Sequence, residues 1–204
     1  VDCTSGVPES AQRISTDLAA RGVTYLDAPV SGQTIGAERG TLTVMVGGNI
    51  AGFERAKPII QAFAGLIEYV GESGAGFAVK AVNNTLMATH LWALSEGLSI
   101  LKHQGVDLSG ALSCINHSSG KSTMSETVMA QKVLRRKKKK TFALNLLQKD
   151  IGIAMDLVKE GQMKTPVFQV TQELFLKTNR EQAMQVDFSV AVTQLEKWNS
   201  VRLV

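Results

Sequence analysis

At Gly76 the sequence changes character. Before it, short apolar stretches alternate with segments punctuated by Gly and Pro. After it, Phe77 to His103 runs without proline and is interrupted only by Gly97. That stretch is far longer than the average globular helix of about 11–12 residues. It divides the 204 residues into an α/β part and an all-helical part. Upstream, the spacing predicts a helix over 8–21, opened by Pro8, with Ala11, Ile14, Leu18 and Ala19 at helical intervals and Gly22 at its end. Strands are predicted at 23–28, 42–46 and 66–70, with a Gly-rich connection from Pro29 to Gly40. A helix over 52–64 sets Phe53, Ala56, Ile59, Ile60 and Phe63 on one face, and Pro58 is expected to break it. This alternation argues for a sheet with at least partly parallel strands. Downstream, helices are predicted near 107–117, 123–134, 142–160, 166–178 and 187–198. The expected organisation is an α/β region over 1–72, a long connecting helix over 73–104 and an all-α domain over 105–204.

The net charge of +4 is carried by one segment. Arg135 to Lys140 supply six of the 22 basic residues, which leaves 16 against 18 acidic ones elsewhere. The chain is therefore not broadly basic, and nucleic-acid binding loses its main support. The run itself reads as a solvated connection between helices. No stretch of 18 apolar residues offers a membrane span. Cys3 and Cys114 do not make a disulfide framework, which favours a reducing compartment such as cytoplasm or mitochondrial matrix. The chain opens on Val1-Asp2-Cys3, without an initiator methionine or a leader pattern, so residues are expected to precede Val1.

Three segments offer chemistry. In Asp27-Ala28-Pro29-Val30-Ser31-Gly32 a strand ends in a turn where glycine allows close approach of a ligand. Backbone N–H groups and the Ser31 hydroxyl there suit a carboxylate, although an ordinary Gly-rich loop reads the same way. In Gly71-Glu72-Ser73-Gly74-Ala75-Gly76 and the helix that follows, Lys80 and Asn84 share a face. Apolar neighbours and the positive end of the helix disfavour the charged form of Lys80, which a general acid/base at neutral pH requires. A lysine snorkelling from the core edge is the competing reading. In Phe142 to Ala154 the only charges are Lys149 and Asp150, which need a partner or a ligand, or pair at the rim of the core.

Other patterns are weaker. Cys114 and His117 have half a zinc-site spacing with no second pair, and there is no HExxH, so no metal site is expected. A hydrolase GxSxG is missing. His90, His103 and His117 read as structural or surface residues, and Trp92 and Trp198 as packing residues within helices.

Together the three segments resemble the β-hydroxyacid dehydrogenases, the family of 3-hydroxyisobutyrate dehydrogenase and tartronate semialdehyde reductase. The resemblance runs through Asp27-Ala28-Pro29-Val30-Ser31-Gly32 with Ala37, Gly40, Thr41 and Leu42. It continues through Gly74 to Lys80 with Asn83-Asn84, and through Lys149-Asp150-Ile151-Gly152-Ile153-Ala154. It implies the C-terminal part of a Rossmann-type domain, a long interdomain helix and a helical domain that often self-associates. It implies hydride exchange between NAD or NADP and a small carboxylate substrate. Lys80 would be the catalytic acid/base, Ser31 and Gly32 would hold the carboxylate, and Asn84 would orient Lys80 or the substrate. Ser5 and Lys149 would meet the cofactor.

Two departures stand out. The family's Ser-Gly-Gly is Ser31-Gly32-Gln33 here, and Asn83 stands where 6-phosphogluconate dehydrogenases carry His, which argues against a sugar phosphate. No G-x-G-x-x-G occurs, so the first half of the cofactor domain is expected to lie outside these residues, and the chain alone to bind NAD(P) poorly. The competing function is a non-catalytic binding or oligomerisation module touching a polyanion through 135–140.

Overall fold

The computed structural model describes residues 1–135, 140–181 and 186–203. The chain divides into two compact units. One comprises Val1–Asn83 with Asp156–Gln162, the other Asn84–Met155 with Met163–Val204.

The first unit begins with helix α1 (Pro8–Ala19), followed by β1 (Leu26–Asp27), β2 (Val30–Ser31), α2 (Gln33–Arg39), β3 (Leu42–Gly48), α3 (Ile50–Ile60) and β4 (Ala64–Gly71). Strand β3 is the hub of the sheet. β1 and β2 pair with it antiparallel, and β4 pairs with it parallel. The β3-α3-β4 segment is therefore the parallel unit that the alternation implied. Leu26, Ala28, Val44, Val46, Phe53, Ala56 and Ile60 form the core of this layer.

Four local expectations need correction. The strand predicted over 23–28 is only two residues long. The connection over Pro29–Gly40 contains β2 and α2. Helix α3 runs through Pro58 without a break. Pro58 and Glu54, whose carbonyl loses its helical partner, both face solvent, where a lost helical bond costs least. Ile59 is 70% exposed rather than on the apolar face, because Phe53, Ala56 and Ile60 already fill it.

Helix α4 (Ala75–His103) has 29 residues and spans about 43 Å at 1.5 Å per residue. It passes from the first unit into the second between Asn83 and Asn84. The second unit adds α5 (Leu108–Asn116), a π-type helix (Met124–Val133), α6 (Leu144–Glu160) up to Met155, α7 (Pro166–Arg180) and α8 (Val190–Asn199). Asp107 caps α5 by accepting from the Ser109 and Gly110 N–H groups. Leu91, Leu98, Met129, Leu144, Leu147, Ile151, Phe175 and Phe188 lie at the centre of this unit. Trp92 packs against Phe175 and Trp198, with ring centroids 6.0 and 5.7 Å away. Among the described residues no helix is long and apolar enough to cross a membrane.

Candidate active site

In the first unit, the segment that leads to Ser5 and the start of the helix that bears Lys80 are both anchored at β1. The segment at Asp2 runs parallel to β1: the Asp2 N–H donates to the Leu26 carbonyl (2.8 Å), and the Ala28 N–H to the Asp2 carbonyl (2.7 Å). The Asp2 side chain then fixes the stretch that leads to Ser5. It accepts from the Thr4 N–H (2.9 Å), the Thr4 hydroxyl (2.7 Å) and the Tyr25 hydroxyl (2.9 Å). Burial pushes the Asp2 carboxyl up, but these donors outweigh it and hold it below the usual carboxylate range. Burial, and then the Asp2 carboxylate beside it, push the Tyr25 hydroxyl well above its ordinary value.

Ser31 closes the short strand β2, and Gly32 follows with φ 130°, a conformation open to glycine. Gln33 adopts φ 59°, the left-handed region in which a side chain is disfavoured. The Gly-to-Gln departure thus falls on a position whose backbone suits glycine. Lys80 is half-buried in the second turn of α4, and Asn84 is buried one turn further along that helix.

In the second unit, the Asn84 amide donates to Asp150 Oδ2 at 2.6 Å. Lys149 Nζ lies 2.9 Å from Asp150 Oδ1, with Lys149 nearly half exposed and Asp150 buried. Asn84 and Lys149 are therefore brought together on one carboxylate. Of the basic run, 136–139 lie outside the described residues, and Arg135 and Lys140 are exposed.

The residue that sequence reasoning passed over is Asp27. Its side chain is fully buried. Oδ1 accepts from the Gly74 N–H (2.8 Å) and Oδ2 from the Phe77 N–H (3.1 Å), two donors at the start of α4. A signal was available: an acidic residue between Leu26 and Ala28 in a buried strand needs donors. The glycines before Ala75 offer the helix no capping side chain of its own.

Residues 74–195 match the family described as the NAD-binding domain of NADP-dependent 3-hydroxyisobutyrate dehydrogenase. Residues 1–71 match the NAD binding domain of 6-phosphogluconate dehydrogenase. Among curated relatives, 2-(hydroxymethyl)glutarate dehydrogenase of Eubacterium barkeri is 37% identical over 86% of this chain and 58% of that protein. The 2-hydroxy-3-oxopropionate reductase of Escherichia coli is 34% identical over 96% of this chain and 67% of that protein. Among solved structures, Mycobacterium tuberculosis 3-hydroxyisobutyrate dehydrogenase with L-serine superposes with a TM-score of 0.86 at 27% identity, covering 95% of this chain and 68% of that one. The chain thus spans between 58% and 68% of the length of these proteins.

Proposed function

The chain belongs to the β-hydroxyacid dehydrogenase family, and from that premise we propose that it is the substrate-facing part of an oxidoreductase. The reaction is hydride exchange between NAD or NADP and a small β-hydroxyacid or its semialdehyde. One observation carries the reading beyond family membership. Asp27 ties the strand that leads into Ser31-Gly32 to the first turn of the helix that bears Lys80.

Each unit carries a polar group proposed to meet a bound dinucleotide. Ser5 lies on a stretch pinned by Asp2, and the ammonium of Lys149, nearly half exposed, is held at the buried Asp150. A glycine-rich pyrophosphate cradle is not among these 204 residues. Bound NAD(P) supplies the hydride acceptor or donor. The chain's own residues handle the proton and the carboxylate. The Ser31 hydroxyl and the N–H groups of its turn bind the substrate carboxylate. The neutral Lys80 amine takes the hydroxyl proton during oxidation and returns it during reduction, so no free alkoxide forms. Asn84, tethered to Asp150, keeps its amide on the Lys80 face of α4.

The test is Lys80→Ala in the intact protein, assayed with a panel of β-hydroxyacids and semialdehydes and both cofactors. Turnover should fall by about 10²- to 10⁴-fold while the circular dichroism stays unchanged. Undiminished turnover overturns the assignment. Self-association is assigned to the helical unit, where a groove lined by Trp92, Ile100, His103 and Trp198 leaves Ile100 exposed. Sedimentation of Ile100→Glu against the wild type checks it, with a lower mass expected for the variant.

A further inference from the structure

We infer that Asp27 is the positioning residue for Lys80, acting through the first turn of α4. This rests on the role proposed for Lys80 above. An α-helix begins with N–H groups that have no partner inside the helix. They are commonly served by a capping box, in which two local side chains satisfy the N–H groups of the capping residue and of the third helical residue. Here those two donors belong to Gly74 and Phe77, and Gly74 has no side chain. One carboxylate, 47 residues upstream of Gly74, accepts from both.

The space for that carboxylate is built by glycines. Asp27 pairs with Gly47 across the sheet. A Cβ on Gly47 would lie 2.8 Å from each Asp27 carboxylate oxygen and 2.8 Å from the Gly76 nitrogen. A Cβ on Gly76 would lie 2.9 Å from Asp27 Oδ2 and 2.5 Å from its carbonyl. Real Cβ atoms do not approach that closely, so both positions are closed to side chains while Asp27 stays in place. The backbone flanking Asp27 meanwhile holds Asp2 on one side and leads to Ser31 on the other. The start of the Ser5 stretch, the substrate turn and the origin of the Lys80 helix are thus referenced to one residue.

The arrangement has an electrostatic side. Lys80 follows Phe77 by three residues, about 4.5 Å along the axis. A buried anion at the positive end of the helix opposes the dipole that would otherwise disfavour the ammonium. Asp27 therefore influences both where Lys80 sits and how readily its amine gives up a proton.

Asp27→Asn in the intact protein separates these roles from plain structural support. The amide still accepts one N–H but turns its own N–H₂ toward the other donor. The expected result is a kcat lower by about 10- to 100-fold, since small misplacement of a catalytic group has that effect, with KM little changed. In addition, the acidic limb of the kcat/KM profile moves to lower pH, because a negative charge near the amine is gone. A fall in kcat with an unmoved limb, or a wild-type kcat and profile, overturns the inference. If Asp27→Asn does not fold, the wild-type protein decides by NMR. The Gly74 and Phe77 amide protons should shift with the same midpoint as the Lys80 ammonium, and amides blind to that titration overturn the inference. Lys80→Ala measured in parallel keeps the two readings apart. An inactive Lys80→Ala beside an unaffected Asp27→Asn sinks only the positioning role, whereas an active Lys80→Ala sinks the assignment on which it rests.

Discussion

The buried Asp27 of the first unit and the partly buried Asp187 of the second solve the same electrostatic problem in different ways. Asp27 in the first unit receives backbone N–H groups. Asp187 in the second receives the Lys132 ammonium at 2.6 Å and the Ser189 hydroxyl at 2.6 Å, with backbone help from Thr141, Phe142 and Ser189. Burial pushes the Asp187 carboxyl up. Lys132, Ser189 and Thr141 together outweigh it and hold it well below the usual carboxylate range. The first solution depends on where the main chain goes and on glycines that leave room. The second depends on a cation that would itself be stranded without its partner. Lys132 is also 5.8 Å from the centre of the Phe188 ring and donates to the Thr141 hydroxyl. Backbone-anchored acids thus locate helices, while cation-anchored acids lock packing.

That contrast is best broken at Asp187. Asp187→Ala leaves Lys132 nearly buried and unpaired, and chemical denaturation should show a loss of about 3–5 kcal/mol. A loss below about 1 kcal/mol, the range of exposed pairs, would put Asp187 among them. The same group sets an acid limit. Its stabilisation is fully present above the unfolded carboxyl value of about 3.9, and it is lost as pH falls through the depressed folded value. Wild-type stability should therefore drop more steeply with acid than that of the Lys132→Met/Asp187→Leu pair.

Next comes the Asn84–Asp150 contact, which a double-mutant cycle with alanine should value at about 1.5–3 kcal/mol as a buried hydrogen bond to a charge. Lys149→Gln, which removes the exposed side of the same cluster, should change stability by less than about 1 kcal/mol yet weaken cofactor binding. The smallest effect is expected at the turn that follows β2. Gln33→Gly relieves the left-handed backbone and should raise stability by about 0.5–1 kcal/mol, with any change in substrate preference read from KM across the panel.

The same contrast explains what could be read in the residues themselves. The change of regime at Gly76, the long helix and the Lys149–Asp150 pair follow from periodicity and from charges set in apolar stretches. Asn84 was legible as a neighbour of Lys80 on one helix face, but not as a donor to Asp150, because that partner is 66 positions away. Asp27 was legible only as a strand end. Its ligands are amides, which every residue carries, and its cavity is made of missing side chains. Pro58 misled for a related reason, since a broken helical bond is expensive only where water cannot replace it. The helix over Gln33–Arg39 was hidden by glycines at both ends, Gly32 and Gly40, which cap it with positive φ.

Strand β3 has one further consequence. It holds β1 and β2 on one side and β4 on the other, and it supplies Gly47 opposite Asp27. Every other named strand pairs with it, so its amides should be the last in this unit to trade hydrogen for deuterium. Fraying of β4 would leave the start of α4 moored at Asp27, whereas fraying of the two-residue strand β1 would let it go. On heating, the Gly74 and Phe77 amides should therefore lose protection when the β1–β3 pairing goes, ahead of the amides of β3 itself.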